Sequence, residues 1–65
     1  MSGYRLYQVD QDSGAETWLR EGHYLNELVA FPTDAEYSQT LDECARSGRA
    51  WIGGGAAPLF LVIRI

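Results

Sequence analysis

Cys44 and His23 are the only thiol and the only imidazole in the chain. Together such groups can make a nucleophile and its general base. The surrounding pattern argues against it. Cys44 falls on the apolar stripe of a strongly signalled helix, eleven residues past its N-cap at Thr33. There a thiol is a small hydrophobe with a raised pKa and receives no help from the positive end of the helix dipole. His23 falls on the polar side of its segment or in a turn. The expected roles are core filler and surface residue. A zinc site needs more Cys and His ligands than one of each can supply.

The carboxylate pairs Asp10/Asp12 and Asp42/Glu43 have the chemistry for acid–base work or for a hard cation. Asp10 to Glu21 has the span of a calcium loop, but the glycine comes one place early and flanking helices are not credible on both sides. A solvated turn accounts for it better. Gly53-Gly54-Gly55 would let a phosphate approach the backbone. It lacks the Lys-Ser/Thr ending of a P-loop and the spacing of a dinucleotide fingerprint, and a strand follows it. A hairpin loop is expected. A notch left by these glycines, flanked by Trp51 and Ile52 and shared by two copies, with Arg49 or Arg64 for an anion, is the ligand-binding alternative. No enzyme, cofactor or metal is expected.

Charge is the strongest functional clue. All nine acids lie between residues 10 and 43, where Arg20 is the only base, so that stretch carries −8. The remaining four arginines bring the chain to −4. Such a surface repels phosphate backbones and attracts basic ones, so a basic protein is a better partner than nucleic acid. Net negative charge also serves solubility alone.

The elements that must position these residues follow from local pattern. Residues 4–9 read as a strand, with Tyr4, Leu6 and Gln8 on one face and Arg5, Tyr7 and Val9 on the other. Asp10 to Gly14 reads as a turn. Residues 15–30 admit two readings, a helix capped by Ser13, or a strand at 17–19 returning on residues 4–9 followed by a short strand at 28–31. The apolar spacing favours the helix, although Gly22 near its middle costs about 1 kcal/mol relative to Ala. Thr33 with Glu36 is a capping box, and Pro32 disfavours helix at Phe31, so a helix starts at residue 34. Tyr37, Leu41, Cys44 and Ala45 form its expected buried stripe. Arg46 suits its last turn and Gly48 its C′ position. Residues 49–52 and 58–65 read as strands joined by the glycine-rich loop. The last of these is apolar on both faces, with Leu59, Leu61 and Ile63 opposite Phe60, Val62 and Arg64. It belongs mid-sheet or under a partner.

The expected fold is therefore a single α+β domain over residues 1–65, a small antiparallel sheet of three to four strands with one or two helices on one face. A core this small supplies only roughly 3–5 kcal/mol. With no second cysteine for a disulfide, association is the remaining aid, and a homodimer through Leu59, Phe60, Leu61, Val62 and Ile63 is expected. Lack of disulfides and of a secretion or membrane segment points to the cytoplasm.

In size, acidity and lack of catalytic residues, the chain resembles the very small inhibitors that phages encode against host defence or regulatory machinery, anti-CRISPR proteins among them. The resemblance implies an inhibitor and no particular residues. From the charge pattern, the expected function is a protein-binding module that docks a basic, nucleic-acid-handling protein through Asp10, Asp12, Glu16, Glu36, Asp42 and Glu43. The alternatives are a homo-oligomeric subunit joined through the C-terminal strand and the small-ligand notch. Exposed Tyr and Trp among Tyr4, Tyr7, Trp18, Tyr24, Tyr37 and Trp51 would anchor an interface.

Overall fold

A computed structural model describes residues 3–65. The chain runs β1 (Tyr4–Val9), β2 (Glu16–Gly22), α1 (Leu25–Leu28), α2 (Asp34–Ser47), β3 (Arg49–Gly53) and β4 (Leu59–Arg64). The four strands form one antiparallel sheet in the order β2-β1-β4-β3. The expected α+β fold with helices on one face is what forms.

The sheet has four strands because residues 15–30 do not make one helix. The turn after β1 closes through Asp10, whose Oδ1 accepts from the backbone of Asp12 at 2.8 Å and Ser13 at 3.3 Å. Residues 16–22 then return along β1, with a bulge where Leu6 pairs with Arg20 but Tyr7 pairs with Trp18. The bulge explains why strand alternation is poor in the sequence: Leu19, packed against the core, is the extra residue, and the phase of the alternation shifts after it. Gly22 ends the strand. The Glu27 carboxylate accepts from the Tyr24 backbone at 3.0 Å, and the single turn of α1 delivers Leu25 and Leu28 into the core. The helical reading of 15–30 is thus corrected, with only Leu25–Leu28 helical. Residues 28–31 form no strand either.

α2 forms as its caps dictate. Thr33 Oγ1 accepts from the Glu36 backbone at 3.2 Å, and Gly48 closes the helix in the left-handed conformation, φ 83°. Its buried side differs from the expected stripe. Thr40 and Cys44 are buried and Tyr37 half-buried, whereas Leu41 and Ala45 are exposed. Thr40 bears burial because its hydroxyl donates to the Glu36 carbonyl at 2.9 Å.

The core between sheet and helices contains Leu6, Leu25, Leu28, Cys44, Ala50 and Val62, with Tyr4, Leu19, Phe31, Ile52 and Phe60 packed around it. Phe31 meets Tyr37 edge-on, with ring centroids 5.4 Å apart. β4 lies mid-sheet, hydrogen-bonded to β1 on one edge and β3 on the other. Two C-terminal strands therefore have no free edge through which to pair, and Phe60 and Val62 turn into the core.

Candidate protein-binding surfaces

The face of the sheet opposite the helices is assembled by register. Trp18 pairs with Tyr7, Tyr7 with Leu61, and Leu61 with Trp51, so these four side chains form one row across all four strands. Leu61 lies between Tyr7 and Trp51 and is 2% exposed, while Trp18 and Trp51 at the ends are 54% and 51% exposed. On one side of this row lie Glu21, Arg5, Ile63 and Arg49, and on the other Glu16, Val9, Leu59 and Gly53. Arg5 Nε meets Glu21 Oε1 at 3.5 Å. The two acids and two arginines balance, so this face is neutral and mostly apolar. Of the expected interface residues, Leu59, Leu61 and Ile63 belong to it.

The second surface is a groove of about 210 Å³ between α2 and the outer edge of β3, lined by Phe31, Glu36, Gln39, Glu43, Trp51 and Ile52 among others. Glu36, Gln39 and Glu43 come from one side of α2 because they are three and four residues apart. Among the described residues no strand pairs with this edge of β3. The Arg64 N–H donates to the Gly48 carbonyl at 2.8 Å. Antiparallel alternation then turns the backbone groups of Arg49 and Trp51 outward. The Ser47 hydroxyl, 2.9 Å from the Arg49 carbonyl, takes up one of them. The N–H and C=O of Trp51 remain directed at the edge.

The six acids expected to form one docking face are divided. Asp10 folds its own turn, and Asp12 lies in that turn. Glu16 projects from the helix-free face, opposite α2. Asp42 meets Arg46 at 3.0 Å, an i,i+4 pair on α2. Glu36 and Glu43 line the groove together. The β3 edge was not among the candidate sites; Trp51 beside a run of glycines, next to a helix carrying acids at i and i+7, is the signal that could have found it.

Within one chain, the glycine-rich loop lies apart from the two arginines expected beside it in the anion notch. Arg49 pairs with Ile63 and Gly53 with Leu59, so Arg49 and the loop sit at opposite ends of the β3–β4 hairpin, as does Arg64. An open depression of about 780 Å³ beside the loop is lined instead by Asp10, Asp12, Gln11 and Pro58 among others. Cys44 is fully buried, and burial, with the Glu43 charge adding to it, pushes its thiol up despite Arg64. His23 is exposed in the turn after β2. No helix among the described residues is long and apolar enough to cross a membrane. The chain matches no family model, no curated protein and no solved structure.

Proposed function

We propose that this chain is a non-enzymatic protein-binding module that takes a basic, extended segment of a partner protein along β3. The observation that carries this reading is the groove itself, where the outward backbone of Trp51 and the carboxylates of Glu36 and Glu43 lie side by side. Addition of a strand to an open sheet edge draws affinity from backbone hydrogen bonds and selectivity from alternate side chains. Here the alternate side chains that turn toward α2 meet two carboxylates beside apolar Phe31 and Ile52. Arginine or lysine suits that wall, since the aliphatic stem packs while the charge pairs. On a nucleic-acid-handling protein, a segment of this kind would be withheld from its phosphate ligand, which makes the module an inhibitor by occupancy.

The test uses a synthetic peptide alternating Arg with Val, titrated into the isotope-labelled protein. Amide shift changes should concentrate in residues 49–53 and along α2, and affinity should fall as salt rises. The double reversal Glu36→Lys, Glu43→Lys should weaken binding about tenfold or more, given roughly 1 kcal/mol for each exposed pair. Shifts scattered away from β3, or an affinity indifferent to the double reversal, would sink the reading.

A further inference from the structure

We propose that two copies of this chain stack their helix-free sheet faces into a sandwich, about a two-fold axis that runs along the strands. Facing sheets in sandwiches keep their strand directions close to aligned, so residues in one cross-strand row meet a row of the other sheet. A two-fold along the strands reverses the order β2-β1-β4-β3. It lays β2 of one copy over β3 of the second, and β1 over β4. Each cross-strand row then meets itself reversed. Trp18 covers Trp51 of the second copy, and Tyr7 covers its Leu61. Glu21 meets Arg49 of the second copy, and symmetry repeats every contact.

Charge selects this axis. A two-fold running across the strands would lay the row of Glu21 on the row of Glu16, carboxylate against carboxylate, and leave Arg49 over Gly53. The chosen axis instead pairs every Glu21 with an arginine of the other copy while its own Arg5 stays beside it. The aromatic need is met as well: the half-exposed Trp18 and Trp51 are large apolar surfaces of the type that dominates protein interfaces. Another copy also suits the neutrality of this face better than a charged ligand does. Trp51 belongs to both surfaces, its side chain to the stacked face and its backbone to the groove, but Glu36 and Glu43 of the groove lie on α2 behind the sheet, so this inference does not rest on the peptide-binding reading.

Light scattering and sedimentation over a concentration range test it. The unmodified chain should show twice its 7.3 kDa mass. Arg49→Glu and Glu21→Arg each place like charges together twice and should each raise the dimer dissociation constant about tenfold or more. Mixing the two variants should restore a dimer, because Glu at 49 of one copy then faces Arg at 21 of the other and the native pair forms at the second position. Restoration also shows that both variants are folded. A mass of one chain at about 1 mM, a dissociation constant unmoved by either reversal, or no gain on mixing overturns the proposal. So does a single-stranded oligonucleotide that quenches the tryptophans of a monomer.

Discussion

The side-chain amide of Gln11 grips Gly55 from both directions: its Nε2 donates to the Gly55 carbonyl at 3.2 Å and its Oε1 accepts from the Gly55 N–H at 2.9 Å. The same Nε2 reaches the Ala57 carbonyl at 3.0 Å. One side chain in the β1–β2 turn thus ties down the β3–β4 loop, 44 residues away in sequence. These bonds are exposed, so Gln11→Ala should cost about 1 kcal/mol of stability in urea unfolding. Faster hydrogen exchange at Gly55 should accompany it. Gln11→Glu keeps the acceptor for the Gly55 N–H but turns a carboxylate oxygen on two carbonyls. It should therefore be no better than Ala, and full stability in Gln11→Glu would show that the donor side of the grip contributes nothing.

Gly53 and Gly48 share a left-handed backbone, with φ 82° and 83°, but not their surroundings. A Cβ on Gly48 would meet open space, whereas one on Gly53 would run into the Pro58 carbonyl oxygen, which is backbone and cannot swing aside. Gly48→Ala should cost about 1 kcal/mol, the backbone penalty alone. Gly53→Ala should cost clearly more, about 2–4 kcal/mol, through strain at the hairpin. Denaturation midpoints of the two variants make the comparison. Equal losses would mean that the hairpin yields freely at Pro58.

Much of the architecture was legible because local chemistry decided it. Thr33, Glu36 and Gly48 bracket α2 whatever surrounds them, and the opposed faces of β1 and β4 follow from alternation alone. Residues 15–30 were not legible for a physical reason. Ala15, Trp18, Leu19, Leu25 and Leu28 share a side at helical spacing, yet strand alternation sends Trp18 and Leu19 to opposite faces of a sheet, and a single turn buries Leu25 and Leu28. Leu41 misled in the same way: spacing cannot tell that Thr40, satisfied by the Glu36 carbonyl, takes the buried place. The acids were visible as a count, but their division into a turn, an ion pair, the helix-free face and a groove is set by topology. So is the row of Trp18, Tyr7, Leu61 and Trp51, whose members are up to 54 residues apart in sequence.

Cys44 gives the pH prediction. Burial raises its thiol above the ordinary 9.0 in the folded chain, so the native state holds this proton after the unfolded chain has released it. The native state then binds more protons, and stability falls as pH rises. Whatever Cys44 contributes is fully present below pH 9 and is lost above it as pH climbs toward the folded pKa. A thermal unfolding series from pH 8 to 10.5 should show a steeper decline for the unmodified chain than for Cys44→Ala. The thiol should also resist a disulfide reagent at pH 8 until denaturant is added; prompt native modification would contradict its burial.

Leu25 and Leu41 test where the fold draws its stability. Leu25 sits on a helix of only four residues and has no exposed surface, lodged in the same core as Leu6, Cys44 and Val62. Leu41 sits on the long helix and is 39% exposed. Sequence pattern would rank Leu41 as the more important. Removing a fully buried leucine side chain costs about 2–5 kcal/mol through lost transfer energy and the cavity left behind, comparable to all that a core of this size supplies. Leu25→Ala should therefore populate the unfolded chain substantially at room temperature, while Leu41→Ala should stay within about 1 kcal/mol of the unmodified protein. If the sandwich dimer forms, raising protein concentration should partly rescue Leu25→Ala by mass action, since association binds only the folded chain. Circular dichroism at two concentrations a hundredfold apart would reveal that rescue.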